Sequence, residues 1–357
     1  MRNTPGIFES MDYLRRFQGQ VMDQMGFGPR ETPYAIIEEN PFSRLRCYAE
    51  GRPGAAALLI VPAPIKAPYI WDLSPERSVV QRAMEDGLGV YMVEWHEPLA
   101  GQERGLADYA GPLLDACVDT VTEESGAPQV ILAGHSLGGI FSALYAAYRP
   151  ERVAALLLVD VPLHFPAKPG QRQVPAASVK TSEAHRLPGS QLSMLSAMAS
   201  PQTFVVERHM DRLASMRSPI HMQTHMSVER WTMDELPMSR KLFDDVITEL
   251  FQNDGFMQGK IQVGDLMVQP SDISAPVFAV YQSSSSLIPP ASVMAFLEAA
   301  GSAHKELAAY GGDTGVVLQH VGPLVGDNAH NELWPKALAW LGSVTGRGGE
   351  GVPAMPA

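Results

Sequence analysis

An apolar run over residues 129–133 passes through Gly134-His135-Ser136-Leu137-Gly138 straight into a helical pattern over residues 137–148. No other feature constrains the fold as tightly. A strand that turns this abruptly into a helix strains the backbone of its central residue, and side chains beside that residue would collide with the turn. Glycines at 134 and 138 remove those side chains. From Val130 to Ala133 the run before the turn is apolar throughout, as in a strand buried on both faces of a sheet. Ser136 then stands clear of the strand end, at the N-terminus of a helix whose dipole favours developing negative charge.

The rest of the chain repeats this rhythm. Residues 55–61, 88–95 and 153–160 read as strands, with helices predicted over 75–86 and 108–124. From residue 161 to 270 the rhythm breaks into prolines and short helical stretches without a parallel strand. It resumes with a strand over 276–281, a helix from Pro290, a strand over 305–310 and a last helix over 331–341. Short apolar runs alternating with helices signal right-handed βαβ units and a mostly parallel, doubly wound sheet. The expected organisation is a helical segment over 1–43, an α/β core over 44–160 and 271–343, and a helical cap over 161–270 after the sixth strand. Residues 344–357, rich in Gly and Pro, are expected to form a flexible tail.

Two segments invite a closer reading. Residues 9–25 place Met11, Leu14, Phe17, Val21 and Met25 at helical spacing. The opposite face is mixed in sign rather than basic, so the stripe is expected to pack on the core rather than lie on a lipid surface. In the cap, ten of the chain's eighteen methionines fall between Met194 and Met267. Such side chains form an adaptable apolar lining suited to acyl chains, and they also serve as ordinary core filler.

A serine at such an elbow needs a base, an orienting acid and an oxyanion hole to act as a nucleophile. With Ser first in chain order, the acid and then the histidine follow. His320 lies between the last expected strand and the last helix, whereas His304 comes too early and His330 falls at a helix start. The loop after strand 276–281, the common place for the acid, reads Gln282-Ser283-Ser284-Ser285-Ser286 and holds no carboxylate. Asp160, at the end of the strand after the elbow helix, is the first alternative, Asp313 the second, and a missing acid the third. The oxyanion donors are expected from the amides of Leu137 and Ile65, since Pro62 and Pro64 carry no N–H.

Composition excludes several other classes. Lys plus Arg is 27 against 39 for Asp plus Glu, a net charge of −12 that argues against nucleic-acid binding. Cys47 and Cys117 form no C-x-x-C pair and read as isolated buried thiols. No run approaches the roughly 18 apolar residues of a membrane span, and Met1–Arg30 has no apolar leader core, so a cytoplasmic location is expected. His221 and His225 have the spacing of two metal ligands on one helix face, but Met222 stands where a zinc protease has Glu. Neither a metal nor a cofactor is expected.

Several separated stretches together resemble the polyhydroxyalkanoate synthase-like α/β hydrolases. They are Thr32-Pro33, residues 59–65 and 69–75, the elbow itself, residues 230–234 and 253–259, His320-Val321-Gly322 and Trp334-Pro335. The likeness covers about residues 30–343. It implies an α/β-hydrolase fold acting on hydroxyacyl esters or thioesters beneath a cap. The polymerising members carry a cysteine where this chain has Ser136, and an aspartate where it has Ser285. A thiolate suits repeated thioester exchange, whereas a serine oxyester is the intermediate of esterases and acyltransferases.

The first expectation is therefore a serine acyl hydrolase, an esterase or thioesterase for short-to-medium acyl or hydroxyacyl chains. Ser136, His320 and Asp160 would carry the chemistry, with Leu137 and Ile65 holding the oxyanion. Alternatives are an acyltransferase or polyester synthase using hydroxyacyl-CoA, and a silent relative that binds acyl chains or a partner. The expected partner is a small acyl ester or acyl-CoA, with a homodimer as an option.

Overall fold

The computed structural model describes residues 6–48, 55–166, 185–283, 285 and 287–346. Most of the expected tail, residues 347–357, therefore lies outside the described residues, as do residues 167–184 of the cap.

Eight strands form one sheet: β1 (Ala35–Glu39), β2 (Ser43–Cys47), β3 (Ala57–Val61), β4 (Gly89–Trp95), β5 (Val130–His135), β6 (Val153–Val159), β7 (Val277–Gln282) and β8 (Lys305–Tyr310). Their order across the sheet is β1-β2-β4-β3-β5-β6-β7-β8. The pairs β1–β2 and β2–β4 are antiparallel. From β4 to β8 every pairing is parallel. The sheet thus begins at Ala35, ahead of the expected start at Arg44. The β1–β2 hairpin is hard to see in sequence because its strands are short and charged. Side-chain pairs tie the hairpin to β4, such as Arg44 Nη2 to Glu94 Oε1 at 2.6 Å.

Alternate residues of the central strands serve opposite cores, as the period of two requires. Leu59 and Val61 pack with Leu132, Tyr109 and Phe141 on one face. Leu58 and Ile60 pack with Ile131, Trp71 and Trp334 on the other. Both cysteines are buried in the first of these layers, and burial pushes the Cys117 thiol up to about 12.

The helices differ from expectation at identifiable residues. In chain order they begin with α1 (Ile7–Gln24), α2 (Val79–Glu85), α3 (Leu114–Ser125) and α4 (Ser136–Tyr148). The helix expected over 75–86 starts only at Val79, because the Ser78 hydroxyl caps it by accepting the Gln81 amide. The helix expected over 108–124 breaks at Gly111, whose φ of −117° and ψ of −108° precede Pro112. Proline supplies no N–H to continue the ladder. The other described α-helices of six or more residues are α5 (Gly189–Ala199), α6 (Arg208–Ser215), α7 (Pro219–Thr232), α8 (Arg240–Asp245), α9 (Pro290–Ala299) and α10 (Trp334–Val344). Helices α5 to α8 lie in the chain between β6 and β7. No described helix is long and apolar enough to cross a membrane.

Helix α1 reverses the expected orientation. Its apolar stripe faces outward: Leu14 is 54% and Phe17 55% exposed, while Asp12 and Gly19 are buried. Polar anchors hold the helix down instead. Asp12 accepts the amides of Gly189 (3.2 Å) and Ser190 (2.7 Å) at the start of α5. Arg230 of α7 reaches both carboxylate oxygens of Asp23 at 2.6 and 2.8 Å. At Gly19 a Cβ would strike the Arg230 guanidinium.

Candidate active site

The turn at Ser136 has the strain its sequence predicts. His135 is extended and Ser136 has φ of +52°, a left-handed value rare for a residue with a side chain. A Cβ on Gly134 would fall 2.5 Å from the Gly139 Cα. One on Gly138 would overlap the Val61 carbonyl at the end of β3. One on Gly139 would overlap the Val161 side chain, so a third glycine belongs to the motif. These absences of side chain seat the first turn of α4 against the ends of β3 and β6.

His320 lies on the loop after β8, 14% exposed, and its Nδ1 is 2.6 Å from Asp160 Oδ2. Asp160 is fully buried just past β6, also left-handed at φ +47°, with its amide donating to the Val280 carbonyl at 3.0 Å. Its Oδ1 has no partner among the described residues. Of the two acids considered from sequence, the structure joins Asp160 to His320. Asp313 faces elsewhere: it accepts the Tyr310 hydroxyl at 2.7 Å and the Asn328 amide at 3.0 Å. Burial raises its pKa.

Ser136 is half-buried, and no hydrogen bond joins its hydroxyl to His320 among the described residues. Such bonds often form only when substrate arrives. The residue before it makes the link instead. His135 Nε2–H donates to the His320 carbonyl at 2.8 Å, and the two rings lie 4.3 Å apart. Burial, then the neighbouring His320, hold the His135 pKa well below its ordinary value, so it is the neutral tautomer that donates.

Leu137 sits in the first turn of α4, where backbone amides have no partner within the helix. Ile65 lies in a loop pinned from three sides. The Pro62 carbonyl accepts the Trp95 indole at 2.8 Å. The Ile65 carbonyl accepts the Leu236 amide at 3.0 Å. Lys66 Nζ donates to Glu235 Oε1 at 2.7 Å and to the Thr232 carbonyl at 3.1 Å. Burial lowers the Lys66 pKa to about 8, against the pull of Glu235.

An open cavity of about 920 Å³ reaches His320, lined among others by Met210, Gln282, Ser285, Leu287 and Gln319. Ser285 lines the same cavity as His320, and its hydroxyl accepts the Ile288 amide at 2.9 Å. The other histidines are occupied elsewhere. His330 is buried, takes a hydrogen bond from Arg82 Nε at 2.7 Å and has its pKa lowered to about 3 by burial and that cation. The His304 backbone bonds Ser302. His221 faces Asp327 at 3.5 Å, while His225 is buried against Asp211 at 2.7 Å, so the two spaced histidines serve different partners. Among the described residues no group of three metal-ligating side chains converges.

A serine on a strained strand-to-helix turn, with a histidine–aspartate pair behind it at the C-terminal edge of a parallel sheet, is the layout of an α/β hydrolase. Residues 11–314 match the α/β hydrolase fold family, and the chain belongs to it. Within that family its sequence is polyhydroxyalkanoate synthase-like, and the chain is an enzyme. It is 27% identical over 353 residues to the poly(3-hydroxyalkanoate) polymerase subunit PhaC of Allochromatium vinosum, covering 93% of this chain and 96% of that one. The corresponding subunit of Synechocystis is 25% identical, covering 94% of this chain and 92% of its own. Among solved structures, the monoacylglycerol lipase of Paleococcus ferrophilus superposes with a TM-score of 0.52 at 16% identity, over 86% of this chain and 100% of that one. The monoglyceride lipase of Saccharomyces cerevisiae gives 0.51 at 16% identity, over 88% and 96%. These two likenesses concern the fold.

Proposed function

We propose that the protein is a serine acyl hydrolase for esters or thioesters of short-to-medium acyl and hydroxyacyl chains. Two observations support the reading: the 2.6 Å bond from His320 Nδ1 to the buried Asp160, and the left-handed strand-to-helix turn at Ser136. Ser136 Oγ attacks the acyl carbonyl as His320 Nε2 takes its proton. Asp160 fixes the tautomer and stabilises the imidazolium. The amides of Leu137 and Ile65 receive the oxyanion. Collapse of the tetrahedral intermediate expels the alcohol or thiol, which leaves with the proton from His320. Water then repeats the sequence on the acyl-enzyme and releases the acid.

A second reading keeps the residues and replaces water by an alcohol, so that the acyl group passes to a hydroxyl. Its support is the similarity to poly(3-hydroxyalkanoate) polymerase subunits along 93% of the chain. A hydroxyacyl donor would then extend an ester chain. The test is intact mass after a fluorophosphonate, followed by product analysis with a 3-hydroxybutyryl thioester. A stoichiometric adduct lost in Ser136→Ala, with free acid as product, supports hydrolysis. New ester in place of acid supports transfer. No adduct under conditions that label a control esterase overturns both.

A further inference from the structure

The loop that carries His320 is also gripped from the cap, by a carboxylate the reaction does not use. Asp211 of α6 is buried, and three donors converge on it. The amide of Gly315 reaches Oδ1 at 2.8 Å, and the amide of Val317 reaches Oδ2 at 2.9 Å. His225 Nδ1, fully buried on α7, adds a bond to Oδ2 at 2.7 Å. These bonds outweigh the burial that would raise the Asp211 pKa, and the group is held below its ordinary value.

The backbone that Asp211 holds is strained. Val317 is β-branched and stands at φ +64°, a conformation such residues almost never adopt. Strain of this kind persists only where surrounding contacts over-determine it, and it concentrates at functional sites. Gly315, at φ +92°, lies so close to α7 that a Cβ would come 2.6 Å from the His221 carbonyl. Immediately after Val317 the chain makes a tight turn over Leu318–Val321, closed by Val321 N–H to the Leu318 carbonyl at 3.0 Å, with His320 inside it. A shift at Val317 therefore passes directly to the imidazole.

We propose that Asp211 is a positioning residue: from the cap, it holds the Val317 turn and so sets His320 against Asp160 and Ser136. The cap is then part of the apparatus that places the base, and not only a cover over substrate. The inference rests on the proposed serine chemistry for its kinetic readout. It does not need that chemistry for its structural one.

The experiment compares Asp211→Asn, Val317→Gly and the double variant on a p-nitrophenyl 3-hydroxyacyl ester. Asparagine offers one acceptor oxygen in place of two, so one loop amide loses its partner. Expected is a fall in kcat on the order of 10²-fold with KM changed less than about threefold, the signature of a misplaced reacting group. Fluorophosphonate labelling of Ser136 should slow in parallel. Glycine tolerates φ near +64° without strain, so the double variant should recover several-fold in kcat. A lowered Tm with unchanged kcat in Asp211→Asn overturns the proposal, as does a double variant with no recovery. If Asp211→Asn does not fold, His225→Gln removes one bond and leaves the carboxylate. There, a smaller kcat loss at constant KM supports the proposal, and unchanged kcat overturns it. If wild-type Ser136 takes no adduct, the hydrolase reading fails by itself. Amide exchange then decides: the 313–320 loop must exchange faster in Asp211→Asn while α4 and β5 do not.

Discussion

His135 donates its Nε2–H to the backbone carbonyl of His320 at 2.8 Å, across a chain separation of 185 residues. The residue beside the candidate nucleophile thus holds the backbone of the candidate base. Replacing it by Phe keeps an aromatic ring in the site but leaves the His320 carbonyl without this donor. Loss of a buried partner typically costs about 1–3 kcal/mol. His135→Phe should therefore lower stability in that range in urea titrations and cut kcat by more than about tenfold, a distance effect on proton transfer. An unchanged kcat at lowered stability would show that the bond serves folding alone.

Stability should depend on pH through two buried histidines. His135 is held well below its ordinary pKa, and His330 is lowered to about 3. Unfolded, each titrates near 6.5. Below that pH the unfolded chain binds more protons than the folded one, so stability is full above about pH 6.5 and falls as pH drops toward about 3. Each group contributes a slope approaching about 1.4 kcal/mol per pH unit. Urea unfolding between pH 7 and pH 4.5 should show the decline, and His330→Gln should remove one histidine's share of the slope. A flat profile would mean that both rings protonate in place.

The two acids considered from sequence should separate cleanly. Asp160→Asn keeps the shape but no longer enforces the tautomer that leaves Nε2 free to accept a proton, a change that lowers turnover by about 10⁴ in serine triads. Asp313 bonds Tyr310 and Asn328 and does not reach His320. Asp313→Asn should leave kcat within about threefold, its effect appearing in Tm. Steady-state assays of both variants on one p-nitrophenyl ester settle the assignment, and equal losses would defeat it.

Much of this arrangement was legible in the residues. Ser136 and the glycines around it declare the turn, since few other residues tolerate that geometry. Chain order points to His320, and the strand ending at Val159 delivers Asp160 to the sheet edge. What stayed hidden depends on contacts far apart in sequence. Nothing beside His135 announces that its partner is the His320 carbonyl, and Asp211 lies in a cap without periodic pattern. Helix α1 misled for a physical reason: an apolar stripe marks a core face only when apolar burial is what docks the helix. Here Asp12, Arg15 and Asp23 dock it through hydrogen bonds and ion pairs, and the stripe is left outside.

Glu235 offers a test of how that docking reaches the site. It is 5% exposed and accepts Arg15 Nη1 of α1 at 2.5 Å and Lys66 Nζ of the Ile65 loop at 2.7 Å. Ser193 of α5 also donates to it. Glu235→Gln removes the charge that offsets two cations, each 21% exposed. Breaking a buried pair costs 3–5 kcal/mol, and this exposure points to roughly 3. Lys66, already lowered to about 8 by burial, should titrate lower still without the carboxylate. Adding Lys66→Met removes one of the two stranded charges, leaving Arg15, and should restore part of the lost stability. If the clasp also places the Ile65 amide, the double variant should regain that part of its Tm while kcat stays depressed by about tenfold or more, the scale of a weakened oxyanion donor. Recovery of both would reduce Glu235 and Lys66 to a purely structural pair.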